Sequence, residues 1–321
     1  MEILSKCHSS YPRVGDKVEQ QKLRRAFNAH DRKKIGDGEL AHVIDEAAAE
    51  IIEELVKTGS NIVTDGQIRA YDPISHIAAK INGFEIGGLL RFFDTNFYYR
   101  QPKVISPLSC TKPLVADEFT FARQIGKNKA SAVAFGPYSL LKMSDNTGDE
   151  LMSDLTDIYA TEICRLRDAG ARLVQFDEPA ILINPDDAPL FQSIYDRLKQ
   201  NIHQIEILIA LYFGNAVPMI ENLAQLRVDG IVFDFTYSPG LDAALAGFPG
   251  DIGLGIVDAR NTKMETQGEI AARAESILKS SNSSKIYITT SCGLEYLPRN
   301  RAFEKQKLCA DAACQLRGEK S

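Results

Sequence analysis

Leu173–Leu182 reads LVQFDEPAIL. A short run rich in β-forming residues leads into two adjacent carboxylates and then a proline, which cannot donate to a sheet ladder. This is the reading expected for a buried strand that ends in a loop. Neighbouring strand residues face opposite sides, so one of Asp177 and Glu178 can enter a pocket while the other pairs with a nearby loop. Such a pair can capture an ammonium group or a cation, or both carboxylates can merely cap loops.

Seven further runs share the pattern of LVQFDEP: EILSKCH from Glu2, NIVTDG from Asn61, SAVAFGP from Ser131, EILIALYFG from Glu206, GIVFDF from Gly230, IGLGIVD from Ile252 and IYITTSC from Ile286. Amphipathic helical stretches separate them. LAHVIDEAAAEIIEELVKTG, from Leu40, has an apolar stripe at helical spacing and stops at Gly59, while LTDIYATEICRLRDAG, from Leu155, stops at Gly170 just before a strand. Eight alternations over this length predict a (β/α)8 barrel, an α/β fold with its active site at the carboxyl ends of the strands. One domain over residues 1–321 is the economical expectation. Low-complexity sequence is confined to KSSNSSK, from Lys279. The stretch INGFEIGGLLRFFDTNFYYRQPKVI, from Ile81, interrupts the alternation between strands 2 and 3. Its aromatics and the Gly87-Gly88 pair, read as a two-residue turn, predict a hairpin-like excursion at about residues 82–110 that covers the mouth or meets another subunit.

The 321 residues are 44% hydrophobic and 25% charged, with a net charge of -6. Lys and Arg are scattered, so neither phosphate tracking nor a nucleic-acid partner is expected. The first fifteen residues contain no apolar run of the kind a signal peptide or membrane helix requires, and a cytoplasmic protein that does not engage membranes is expected. The six cysteines are not paired at short disulfide-like spacings. Cys164, Cys309 and Cys314 fall in helices as packed thiols, whereas Cys7, Cys110 and Cys292 lie at or near loops.

Polar clusters close several strands. SKCHSSYPRVG offers Cys7, His8 and Ser10 after strand 1, and strand 1 neighbours strand 8 in a closed barrel. Cys7 and His8 therefore come within reach of Cys292 as candidate zinc ligands, with packed cysteine and surface histidine as the alternative. VTDGQIRAYD supplies Gln67 and Asp72, and GIVDARN supplies Arg260, a fixed cation suited to a carboxylate.

Taken in order, SSYPRVG, VTDGQIRAYD, FFDTNFYYRQP, FGPYSLL, LVQFDEPAIL, LYFG, GIVDARN and TSCGLEYLPR resemble the cobalamin-independent methionine synthase family. FDEPA and SCGLEYLPR are the more specific motifs. LYFG, FFDTNFYYRQP and GIVDARN resemble the amino-terminal half of the long two-barrel enzymes more than the catalytic half. The resemblance implies methyl transfer to the thiol of homocysteine or a related small thiol, from a methyl-folate or methylcorrinoid donor. A zinc ion that lowers the thiol pKa is also implied. It implies that Asp177 holds the substrate amino group; Glu178, its neighbour, is a substrate-binding candidate from the residue reading alone. Ser10 would hold the carboxylate; Asp72 is a substrate-site candidate from its place in the loop after strand 2. Gln67 stands where the family has a substrate-binding glutamate. The departures concern the metal. The family His-x-Cys pair aligns with Tyr212 and Gly214, the glutamate ligand falls near Asp234 or Phe235, and the acid histidine corresponds to Arg260; only Cys292 matches.

Three expectations follow. One is an S-methyltransferase with Ser10, Gln67, Asp177 and Cys292 around the substrate. Another is a non-catalytic barrel that binds folate or a methyl-carrying protein and works with a separate zinc-bearing catalytic barrel. The third is zinc-free thiol or methyl chemistry with Cys292 as nucleophile and Tyr212 or Arg260 as new groups beside it, so that Cys292, Arg260 and Tyr212 are the residues expected at the reacting centre.

Overall fold

The computed structural model describes residues 1–145, 148, 151–200 and 202–319. Its strands are β1 (Glu2–Ser5), β2 (Asn82–Arg91), β3 (Tyr98–Ser109), β4 (Ala132–Phe135), β5 (Leu173–Asp177), β6 (Glu206–Leu211), β7 (Gly230–Asp234), β8 (Asp251–Val257) and β9 (Lys285–Thr290). Seven of them form one parallel sheet in the order β1-β9-β8-β7-β6-β5-β4. The gap between β1 and β4 is spanned by NIVTDG, which makes parallel bridges from Ile62 to Lys6 and from Val63 to Ala130. The ladder there runs through Cys7 N–H to Ile62 C=O at 2.9 Å and Ser131 N–H to Val63 C=O at 2.9 Å. The sheet thus closes into the expected eight-membered barrel, with its second member reduced to two bridging residues.

Every residue of β4, β5, β7 and β8 is buried. Strands covered on both faces lose the polar alternation of a half-exposed sheet, and for this reason the runs are legible as continuous apolar segments. The helix Asp37–Lys57 buries Ala47, Ala48, Ile51, Ile52 and Leu55 along one stripe. After the helix Met152–Asp168, Gly170 takes φ +87°. Gly170 N–H bonds to Arg167 C=O and Ala171 N–H to Leu166 C=O, a Schellman closure that aims the chain into β5.

The excursion is a two-stranded antiparallel hairpin of β2 and β3. Its turn is not at Gly87-Gly88. Those glycines lie inside β2 at a register shift between Ile86 and Leu89, and the chain reverses at Phe92–Phe97, where Phe92 N–H bonds to Phe97 C=O at 2.8 Å. A glycine pair marks a bulge as readily as a turn, because both relieve crowding at the backbone. The tip lies over the barrel mouth: Phe92 packs against Phe135 and Phe213, and Phe97 meets Tyr296 edge-on at 4.7 Å.

Candidate active site

The strand ends and the hairpin tip enclose a cavity of about 250 Å³. Its floor carries Ser9, Ser10, Gln67, Asp177, Tyr212 and Glu295, and aromatic side chains of the hairpin form much of its roof. The volume lies below the range for drug-sized ligands and suits an amino acid.

Alternation along the first strand sets the floor. Lys6 points across the barrel: its Nζ donates to Gln175 Oε1 at 2.5 Å and to the backbone carbonyls of Cys7 and His8. Gln175 Nε2 in turn donates to Asp177 Oδ1 at 2.7 Å and to His8 C=O at 3.0 Å. The ammonium can only donate and the carboxylate only accept, which settles the orientation of the amide between them. Burial pushes the Asp177 carboxyl above its usual range, against the hydrogen bond from Gln175 and the charge of Lys6. Burial also lowers the Lys6 ammonium, against the charge of Asp177. Tyr212 OH reaches Asp177 Oδ2 at 3.4 Å.

Glu178 faces elsewhere and does not line the cavity. Its two oxygens accept from Tyr138 N–H at 3.1 Å, Ser139 N–H at 2.7 Å and Tyr195 OH at 2.7 Å. It therefore caps the start of the helix Pro137–Lys142 rather than holding a substrate. Asp72 lines the cavity but is also engaged as a cap, with Oδ1 on Ser75 N–H and Oδ2 on Ser75 Oγ and Arg100 N–H.

Of the residues expected at the reacting centre, Tyr212 alone lines the cavity. Cys292 is fully buried, its Sγ directed at Gly293 C=O at 3.4 Å, and burial holds its thiol well above the usual value. Arg260 lies over the rings of Phe213 and Tyr237, each 5.1 Å away, and donates to Asp94 of the hairpin tip. It fastens the roof and leaves the floor to other groups.

The residues do not fit the implied zinc. Lys6 points inward, so Cys7 points outward between strand and helices, where it bonds Ser60 and lies near buried Cys309; burial raises its thiol to about 12. His8 sits edge-on to Tyr212 at 5.5 Å, with Nδ1 on Ser9 Oγ at 2.9 Å. Burial, then the charge of Lys6, holds its imidazole neutral. Among the described residues, no three His, Cys, Asp or Glu side chains are grouped to hold a metal ion. Cys7, His8 and Cys292 are therefore corrected from candidate ligands to packed groups.

Sequence reasoning passed over Glu295, three residues beyond Cys292 inside TSCGLEYLPR. It accepts a hydrogen bond from Ser10 Oγ, so the Ser10 hydroxyl expected to meet a substrate carboxylate is directed at a protein carboxylate instead. Gly293 makes this approach possible, since a Cβ there would collide with both Ser10 Oγ and Glu295 Oε2. Gln67 enters the cavity from a left-handed backbone at φ +52°, next to Gly66 at φ +68°.

Residues 87–282 match the family described as cobalamin-independent synthase, N-terminal domain. The chain belongs to the cobalamin-independent synthase family. Relatives of this family member include a methionine synthase of Sulfurisphaera tokodaii, 29% identical over 92% of this chain and 87% of the relative. Another, from Saccharolobus solfataricus, is 28% identical over 92% and 89%. Among solved structures, a B12-independent methionine synthase from Shewanella sp. W3-18-1 in complex with selenomethionine shares the fold. Its TM-score is 0.81 at 18% identity, covering 99% of this chain and 98% of that one. A putative vitamin-B12 independent methionine synthase from Listeria monocytogenes gives a TM-score of 0.77 at 17% identity over 98% of each chain. Family and relatives make the chain an enzyme of the methyltransferase type. Among the described residues, no helix is long and apolar enough to cross a membrane.

Proposed function

We propose that this chain is a cytoplasmic S-methyltransferase that places a methyl group on the thiol of homocysteine or a similar small thiol amino acid. The observation that carries this reading is the amino-acid-sized cavity with Asp177 on its floor, its carboxylate backed by Gln175 and Lys6. Asp177 and Tyr212 orient the amino end of the substrate, and Gln67 adds a neutral hydrogen-bonding group. The aromatic roof excludes water from the sulfur. Methyl transfer forms the new S–CH3 bond as the donor–CH3 bond breaks; the proton lost by the thiol is balanced by the one gained at the nitrogen of a methyl-folate, or is released to solvent when a methylcorrinoid departs as its Co(I) form. A methyl-folate or methylcorrinoid is the donor class that the family reading implies.

Calorimetry with L-homocysteine and L-methionine tests this reading. Binding of either at micromolar to millimolar Kd is expected, weakened about tenfold or more by Asp177→Asn through loss of a charge-assisted hydrogen bond. Failure of both ligands to bind overturns it.

A second reading rests on the ligand positions. The matched family description is of an amino-terminal domain, and the sequence resemblance puts Tyr212 and Gly214 where the family has its metal-binding pair. In that case the barrel binds the thiol or donor and acts with a separate zinc-bearing catalytic barrel. Turnover by the purified chain alone would exclude this reading, whereas turnover only after adding such a barrel would establish it.

A further inference from the structure

Three carboxylates line the cavity, and they differ in what already satisfies them. Asp72 accepts two backbone N–H groups and the Ser75 hydroxyl, as expected of a cap. Asp177 receives Gln175, and through that amide its charge is set against Lys6. Glu295 has only neutral hydrogen-bond partners, the Ser10 and Tyr296 hydroxyls and its own backbone N–H. Among the described residues no Lys, Arg or His forms an ion pair with it. The cation of the rim, Arg13, acts on Glu295 through space, while its guanidinium hydrogen-bonds Ala70 C=O at 2.7 Å and Tyr71 C=O at 3.2 Å and stacks on the Tyr71 ring. A carboxylate removed from bulk water without a directly paired cation is costly, and the cost is relieved when a cationic ligand enters.

We infer that Glu295 is a substrate-binding carboxylate that shares the ammonium group of the amino-acid ligand with Asp177, and that Ser10 is the residue that positions it. This rests on the methyltransferase reading above. Asp177 ends β5, and Glu295 follows β9, yet the two are close enough for the charge of Glu295 to raise the Asp177 carboxyl. An ammonium between them removes that repulsion and meets a charge that Arg13 offsets only through space, without a direct ion pair. Gln67 lines the same cavity without a charge, so Glu295 supplies the second acidic contact. Ser10 holds the carboxylate in place from the loop after β1, and the absence of a side chain at Gly293 lets the two groups meet. An amino acid therefore binds as a zwitterion, and selectivity falls on its amino group.

The test compares L-methionine with its desamino analogue, 4-(methylsulfanyl)butanoate, by calorimetry on the parent, Glu295→Gln and Ser10→Ala proteins. Glu295→Gln is expected to weaken L-methionine about tenfold or more and the analogue by less than about twofold, because only the former has an ammonium to lose. Ser10→Ala keeps the charge and gives a smaller loss, again confined to L-methionine; it also serves if Glu295→Gln fails to fold by circular dichroism. Equal weakening of both ligands, or unchanged affinity for L-methionine in both variants, overturns the assignment and leaves the methyltransferase reading intact. Failure of the parent to bind L-methionine and L-homocysteine overturns both.

Discussion

Lys6 and Asp177 are joined through a single amide: the Lys6 ammonium donates to Gln175 Oε1 at 2.5 Å, and Gln175 Nε2 donates to Asp177 Oδ1 at 2.7 Å. The three side chains cross the barrel from the first strand to the fifth, and all are buried. Replacing the amide with an apolar group strands a donor on one side and an acceptor on the other. Gln175→Leu should therefore cost about 2–4 kcal/mol, read by urea denaturation, since each stranded buried group costs about 1–3 kcal/mol. A loss below about 0.5 kcal/mol would show that the relay contributes little.

Arg260 fastens the hairpin to the loop after β8. Its Nη2 donates to Asp94 C=O at 3.1 Å and Oδ1 at 3.2 Å while its guanidinium lies over Phe213 and Tyr237. Arg260→Ala should change global stability by no more than about 1–2 kcal/mol, since one partner is exposed and each cation–π contact is small. It should nevertheless raise amide exchange at residues 92–97 and leave β5 to β8 protected. Unaltered exchange at the tip would show that its aromatic packing suffices.

Glu118 lies away from the cavity and offers a clean pH test. Burial pushes its carboxyl up, but the His76 hydrogen bond at 2.9 Å and the Lys80 ammonium at 2.6 Å outweigh burial and bring it to about 2, against an ordinary 4.5. A folded-state value below the unfolded one gives stability that is fully present above pH 4.5 and lost as the pH falls through 2. Glu118→Gln should cost about 2–3 kcal/mol at pH 7, and the difference from the parent should vanish between pH 4.5 and 2. A difference that does not change with pH would refute the linkage.

The environment of Cys292 argues against a nucleophile. It is wholly buried, and burial, reinforced by the charges of Glu295 and Asp234, raises the thiol. Iodoacetamide at pH 8 should label Cys292 at least about a hundredfold more slowly in the native protein than after unfolding, as expected of a structural thiol. Cys292→Ser should bind L-methionine within about threefold of the parent if the thiol lies behind the wall. Rapid native labelling would reinstate it as a reactive group.

The strands, their order and the hairpin were legible because each leaves a local signature: buried parallel strands read as continuous apolar runs, and Gly59 and Gly170 sit where helices must stop. Asp177 was legible for the same reason, as a carboxylate at the end of such a run. The direction of adjacent side chains was not. Cys7 and His8 adjoin in sequence, but the first strand turns Lys6 and His8 to one side and Cys7 to the other. The choice follows from pairing with Ile62 and Ile288, far along the chain. Glu178 looked as available as Asp177 until the helix start at Tyr138 and Ser139 was seen to claim it.

By itself, then, the sequence determined the barrel and the set of loops that meet at its mouth, since hydrophobic period and helix stops act over a few residues. Only the tertiary structure decided which side chains share the cavity. Ser10 and Glu295 are 285 positions apart and meet because closure of the sheet makes β1 and β9 neighbours. That Cys7, His8 and Cys292 share no metal site among the described residues has the same origin: strand register, a property of the whole closed sheet, sends Cys7 into the helix layer.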